Sequence, residues 1–324
     1  MTTIERLDPT DDAQFADYYE AYRAAHDREW DRPYSAIEKR VGLLESGVYQ
    51  DSIGVIARDA SGHAVGIGLA EIPLKDNLLT GFVGLRVLLA HRRRGHGSAL
   101  LDALLDVCRS AGREKVMGVT HWTPGESNVP GRAFADSHGF VLDQVDAHRV
   151  LDLPASLPAA PALHGYVLQS WRGPCPERWV DDYATLRSLL TQEAPSGDLA
   201  LEAEFFDAER IRVEEASLEK QGRIMAAAVA LDPTGKPVGH TQLVFPGSDP
   251  EDVYQWDTLV LSPHRGHGLG LSLKVHAMDS ARDLLVGRKH VHTYNAASNG
   301  PMIAVNERMG FRLVAYNGEF LRTI

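Results

Sequence analysis

Hydrophobic and polar positions fall into two similar successions along the chain. Phe82 to Leu89 (FVGLRVLL) is a nearly unbroken apolar run, short and aliphatic enough to predict a buried strand. Beyond it the period changes. Polar residues recur at Asp102, Asp106, Arg109 and Arg113, at spacings of 4, 3 and 4, while Leu100, Leu101, Leu104, Leu105 and Cys108 take the opposite face. That pattern predicts an amphipathic helix over 98–111, closed by Gly112. Val116 to His121 predicts the next strand. The order then returns, with a strand at Val253–Leu261 (VYQWDTLVL), a helix over 271–286 carrying Leu271, Val275, Met278 and Leu285 on one face, and a strand at Lys289–Asn295. A hairpin is expected between 224–231 and 238–245, around Gly235-Lys236-Pro237. Each half therefore reads as α+β, with strand–loop–helix–strand at its centre.

The two successions are copies. HRRRGHGSALL at 91–101 matches HRGHGLGLSL at 264–273. Arg92 and Arg265 are 173 positions apart, while Asn128 and Asn299, and Gly139-Phe140 and Gly310-Phe311, are 171 apart. Landmarks at nearly one offset indicate duplication of a whole domain. Residues 152–165 (DLPASLPAAPALHG) are rich in proline and alanine and read as a linker. The expected domains are 1–153 and 165–324, joined by 154–164.

Composition narrows the class. With 44% hydrophobic and 24% charged residues the chain is an ordinary globular protein, and no apolar run approaches the roughly 18 residues of a membrane span. The acidic start, MTTIERLDPTDD, is unlike a secretory or transit signal. Two isolated cysteines, Cys108 and Cys175, fit a reducing cytoplasm rather than a disulfide framework. A net charge of −11 argues against a nucleic-acid partner. His91-Arg92-Arg93-Arg94-Gly95-His96 is cationic against this background, which suggests a small anionic ligand.

The loops supply the chemistry. Arg92-Arg93-Arg94-Gly95-His96-Gly97, with Ser98 opening the helix, and Arg265-Gly266-His267-Gly268-Leu269-Gly270 both read R-x-x-G-x-G between a strand and a helix. Unpaired N–H groups at a helix N-terminus, with successive amides in a turn, form a cradle for phosphate oxygens. Glycine lets the backbone come close. No third glycine completes a dinucleotide fingerprint, and no GK[ST] completes a P-loop.

With Val87 and Val260 five residues before each arginine, and Asn299, Met302, Val305, Asn306, Gly310 and Phe311 closing the second copy, the chain resembles the GNAT family of N-acetyltransferases. The second half, with Trp256-Asp257-Thr258-Leu259-Val260, is similar to tandem proteins of that family from actinobacteria. The resemblance implies two GNAT domains, each a mixed, mostly antiparallel central sheet flanked by helices, with a splayed strand holding acetyl-CoA. It implies cofactor contacts from Val87, Leu88, Leu89 and the first loop, and from Val260, Leu261, the second loop, Asn299 and Met302. It also implies that an amide near Leu88 or Leu261 polarises the thioester carbonyl and that a base takes a proton from a small-molecule amine.

The usual acid, a tyrosine seven residues after the asparagine, is replaced by Asn306 in the second copy and Ala135 in the first. The second copy is thus the expected catalytic half, with Asp257 as base and Tyr294 or Asn306 as donor; His240 is an alternative base. The aromatic residues Trp30, Trp122, Trp171, Trp179 and Trp256 are candidates for an acceptor pocket. His290 and His292 share a strand face, yet no third ligand stands near them in sequence, so no metal is expected. Two alternatives stay open: a mycothiol-synthase-like acetyltransferase and a non-catalytic acyl-CoA-binding module. The expected oligomer is a monomer or homodimer.

Overall fold

The computed structural model describes residues 2–45, 47–193 and 202–324. They divide into two compact units, Met1–Gln144 with Asn317–Ile324, and Val145–Tyr316. In chain order the elements up to the first unit's end are β1 (Thr3–Arg6), α1 (Asp12–Ala24), α2 (Ala36–Leu44), β2 (Gln50–Arg58), β3 (Ala64–Pro73), β4 (Thr80–Val87), α3 (His96–Ser110), β5 (Lys115–Trp122), α4 (Pro130–Ser137) and β6 (Val141–Asp152). There follow β7 (Val167–Arg172), α5 (Val180–Glu193), α6 (Ala208–Lys220), β8 (Arg223–Leu231), β9 (Pro237–Pro246), β10 (Asp252–Val260), α7 (Leu269–Ser280), α8 (Arg282–Leu285), β11 (His290–Ala296), α9 (Gly300–Met309) and β12 (Arg312–Thr323).

The first unit orders its strands β1-β2-β3-β4-β5, followed by the end of β12. The second runs from the end of β6 through β11-β10-β9-β8 to β7. In both, the central pair, β4 with β5 and β10 with β11, is parallel, while the β1–β2, β2–β3, β3–β4, β7–β8, β8–β9, β9–β10 and β6–β11 pairs are antiparallel. The expected mixed, mostly antiparallel architecture is present twice.

Packing follows the apolar stripes. Leu100, Leu101, Leu104, Leu105 and Cys108 of α3 are buried, as their spacing predicts, and join Val55, Ala70, Val87 and Val116 in one core. Helix α7 departs from a one-sided stripe: Leu269, Leu271, Leu273, Val275, Ala277 and Met278 are all buried. The helix predicted over 271–286 instead breaks at Ala281 into α7 and α8.

The units do not follow the sequence halves 1–153 and 165–324. Phe320 and Ile324, at the chain's end, pack into the first unit's core, and Ile324 N donates to Glu114 O at 2.9 Å. Leu151, before the linker, packs into the second unit's core, and β6 pairs with β11 from Asp146↔Ala296 to Asp152↔His290. Each unit is completed by a strand from the other half of the sequence. Hydrophobic patterning marks a strand but not its neighbour, so the exchange was not readable. Linker residues Leu153, Ala155, Leu157 and Leu163 also pack against the second core.

Candidate functional site

In each unit the parallel pair opens. Strands β4 and β5 pair from Thr80↔Lys115 to Val83↔Gly118, yet continue to Val87 and Trp122. Strands β10 and β11 pair from Asp252↔His290 to Gln255↔Thr293 and continue to Val260 and Ala296. Ladder groups on the facing edges beyond those points lack a strand partner, and an extended ligand can take that place.

The amides facing the gap are set by alternation. Leu88 N donates to Val65 O and Leu261 N to Val238 O, each at 3.0 Å. Those two N–H groups are committed to the neighbouring strand, so of the amides near Leu88 and Leu261 these two do not face the gap. Strand geometry turns the preceding N–H groups, of Val87 and Val260, toward the gap. Leu89 lies outside the strand, in a single 3₁₀ turn.

The loops after the strands are built alike. Gly95 (φ 87°) precedes α3 and Gly268 (φ 73°) precedes α7, both left-handed, and neither helix has a side-chain cap. Such N-termini present free amides and the positive end of the helix dipole to an anion. A Cβ on Gly95 would meet open space, whereas one on Gly268 would come within 2.7 Å of Pro161 Cγ. Gly266 and Arg93 also have positive φ, 83° and 64°.

The paired arginines have a different duty from the one expected. Arg92 Nε donates to Val87 O and Arg265 Nε to Val260 O, both at 3.0 Å. Their Nη2 atoms pair with Asp27 at 2.8 Å and Glu193 at 2.7 Å. They tie the loop back to the strand end. Asp27 and Glu193 have no repeat signature and were missed in the sequence. Of the remaining loop residues, His96 is buried with Nδ1 2.9 Å from Thr2 Oγ1, Ser98 Oγ is 3.0 Å from His138 Nε2, and His267 packs against Tyr166. Asn299 Oδ1 caps α9 by accepting from Met302 N at 3.2 Å.

The units differ in the strand. The β3–β4 register is regular from Glu71↔Phe82 to Gly66↔Val87. The β9–β10 register shifts by one residue between Gln255 and Thr258. This bulge sets two residues, Trp256 and Asp257, opposite the single Gln242, re-aims their side chains and overrides the alternation that grouped Gln255, Asp257 and Leu259 on one face; bulges of this kind recur beside active sites. Gln255 is buried, donating to Thr241 Oγ1 at 2.8 Å, while Trp256 is exposed.

Asp257 Oδ2 lies 3.0 Å from Arg187 Nε, and Arg187 Nη1 lies 3.1 Å from Glu214 Oε2. Burial pushes the Glu214 carboxyl above its ordinary value. Arg187 and Glu214 line a 240 Å³ cavity with Tyr183, Glu215, Gln242 and Trp256. Of the five tryptophans, Trp256 is the one on its wall; Trp171 and Trp179 belong to the core.

Other candidates fall elsewhere. His240 is fully buried, and burial together with the charge of Arg187 pushes it down to about 3. Tyr294 is exposed, one residue beyond the end of the β11 pairing with β10, and is stacked on His148 at 4.3 Å between ring centroids. Asn306 is fully buried; its Oδ1 accepts from Lys274 Nζ at 2.7 Å and its Nδ2 donates to Asn295 Oδ1 at 3.0 Å. Its amide is therefore engaged inside the core. Ala135 stands at the matching place on α4, and a Cβ on nearby Gly131 would strike Thr120 Oγ1 at 1.9 Å. His290 and His292 gain a third neighbour absent from the sequence reading, Asp252, through the parallel register that sets Asp252 beside His290.

A splayed parallel pair, a glycine loop and an uncapped helix, twice in one chain, define an N-acetyltransferase of the GNAT class. The Acetyltransferase (GNAT) family profile matches residues 14–140 and 183–311, and the chain belongs to that family. It is 30% identical over 248 residues to a mycothiol acetyltransferase of Clavibacter sepedonicus, covering 72% of this chain and 70% of that one. Among solved structures it superposes on a tandem GNAT protein from the clavulanic acid biosynthesis pathway with a TM-score of 0.83 and 23% identity, covering 100% of this chain and 98% of the other. A GCN5-related N-acetyltransferase from Sphaerobacter thermophilus gives a TM-score of 0.69 at 15% identity, with 99% and 95% covered. These two likenesses are of fold. Among the described residues no helix is long and apolar enough to cross a membrane.

Proposed function

We propose that the chain transfers an acetyl group from acetyl-CoA to the amine of a small molecule, and that the second unit carries the reaction. The observation that carries this reading is the bulge in β10, which stands beside the splay in the second unit and has no counterpart in β4. The residues suit the cofactor. The cradle after Gly268 suits the pyrophosphate, and the open edges of β10 and β11 suit the amide-bearing pantetheine arm. The Val260 N–H suits the thioester oxygen.

The 240 Å³ cavity is the acceptor pocket in this reading. Glu214 and Glu215 suit an ammonium group and Trp256 an apolar or aromatic body. Asp257, held by Arg187, takes the proton as the amine nitrogen attacks the thioester carbon and the thiolate leaves. Tyr294 is the proposed donor to that thiolate, since the Asn306 amide is engaged within the core. The first unit, with a regular β4 and alanine at position 135, is proposed to bind acyl-CoA without turnover.

The mycothiol acetyltransferase relative favours one acceptor class in particular, an amine on a cysteinyl sugar conjugate. The test is release of free coenzyme A thiol over a panel of amines that includes such a conjugate. Amine-dependent release supports the proposal. A flat panel, with calorimetry showing bound acetyl-CoA, would make the protein a binding module instead.

A further inference from the structure

We propose that Asp252, His290 and His292 form a binding site for a divalent transition-metal ion of the zinc type, at the leading ends of β10 and β11. The site is independent of the acetyl-transfer reading, because it lies where the two strands are still paired, at the end opposite their opening.

The donor atoms converge. Asp252 Oδ1 is 3.0 Å from His290 Nδ1 and 3.2 Å from His292 Nε2, and the three donors all lie within 4.8 Å of one another. Ligands about 2.0–2.1 Å from a tetrahedral ion stand about 3.3 Å apart, so two edges of the cluster already have nearly the spacing a zinc ion needs. Two imidazoles and one carboxylate match the preference of zinc and its neighbours over calcium or magnesium.

His292 is also supported at its other ring nitrogen, as metal-bound histidines are. His292 Nδ1 lies 2.9 Å from His148 Nε2, which directs Nε2 toward Asp252. His290 Nε2 lies 3.9 Å from Asp152 Oδ1, beyond hydrogen-bond reach, and Asp152 is held by Arg312 at 2.9 Å. Arg288, the nearby cation, directs Nη1 to the backbone oxygens of Pro246 and Asp252, at 3.2 and 3.3 Å. The Asp252 and His292 side chains are 1% exposed and His290 is 24% exposed. The ion would enter past His290, and a water would complete its coordination there. Bound, it would clamp β10 to β11 just before they part.

The experiment uses the full chain stripped with chelator, titrated with Zn²⁺ by calorimetry and with Co²⁺ by visible absorption. One Zn²⁺ per chain, with a dissociation constant below about 1 µM, is expected, together with the visible bands of tetrahedral Co²⁺. Loss of a direct ligand exceeds the roughly 10–100-fold cost of losing an outer partner. His290→Gln should therefore weaken Zn²⁺ more than about 100-fold, and His148→Phe, which removes the outer partner of His292, by about tenfold. His63→Gln, at a side chain 81% exposed, should change nothing. His290 is the accessible member, so its variant should keep the metal-free circular dichroism spectrum and melting temperature. Absence of binding would overturn the proposal and leave Asp252 as a hydrogen-bond acceptor for two imidazoles. Binding that survives both His290→Gln and Asp252→Asn would overturn it as well.

Discussion

Gly270 offers the cleanest test of the anion cradle. It is the second residue of α7, its φ is not positive, and a Cβ there meets nothing within 4 Å. Gly268, by contrast, is left-handed and hard against Pro161, so any substitution there confounds binding with folding. Glutamate at 270 suits the fold. Replacing glycine inside a helix gains about 0.5–1 kcal/mol, and a carboxylate in the first turn gains about 0.3–1 kcal/mol from the dipole. The same carboxylate repels a pyrophosphate seated on that turn. At about 4 Å the repulsion is about 1 kcal/mol in bulk water and about 4 kcal/mol at an effective dielectric constant near 20. Gly270→Glu should thus weaken acetyl-CoA binding by about fivefold to a thousandfold while the melting temperature holds or rises. Gly270→Gln, similar in size and uncharged, should bind nearly as the parent does. Calorimetry with acetyl-CoA and a thermal melt decide it. Parent-like affinity in a folded Gly270→Glu protein would refute the placement of the phosphates.

Asp257→Asn should lower kcat about 100-fold or more, within the range for a lost general base, with KM for acetyl-CoA unchanged in steady-state assays. Glu214→Gln should instead raise the acceptor's KM about tenfold or more, the cost of a lost charged hydrogen bond, and an unchanged KM would remove Glu214 from the pocket's function. Burial lowers Lys274 to about 7, so between that value and its unfolded pKa the unfolded chain carries the extra proton. Stability should therefore rise with pH from about 7 to 10, approaching about 1.4 kcal/mol per pH unit, and urea melts of Lys274→Met should lose that slope. Phe320→Ala, at a buried position near the chain's end, should cost about 3–5 kcal/mol. The loss should show as faster hydrogen exchange in β2 to β5 rather than in β8 to β11.

The elements read best from the sequence are those whose neighbours are close in the chain. The α3 stripe, the β8–β9 hairpin and the two strand–loop–helix units are local, and each is present. What was not legible depends on pairing across distance. Alternation along VYQWDTLVL predicted one face for Gln255 and Asp257; the bulge that separates them is visible only in the β9 register. Arg187 reads as one charge on an acidic helix until it meets Asp257. Asp252 stands 38 residues before His290, and only the parallel register joins them. Residues 172–220 are rich in aspartate and glutamate, a composition that suits a cationic acceptor or a solvated helix face, and 194–201 of that stretch lie outside the described residues.

The duplicated loop and the β10 bulge, which β4 lacks, support the proposed separation of two tasks that one copy alone would merge. Both copies keep the left-handed glycine, the uncapped helix and the arginine tied to the strand-end carbonyl, so both retain what holding an anion requires. They diverge at the strand. In the second unit an extra residue carries Asp257 to Arg187 at a cavity wall. In the first unit no residue is inserted, and Arg86 on β4 forms a two-pronged ion pair with Asp31, which His26 approaches at 3.8 Å. An arginine held there is a permanent cation and cannot accept a proton. We propose that the first unit captures cofactor without activating an amine. Parent protein should therefore bind about two acetyl-CoA molecules and Gly270→Glu about one, while amine-dependent thiol release disappears with the site that Gly270→Glu removes. Thiol release persisting after loss of that site would place catalysis in the first unit and overturn the division.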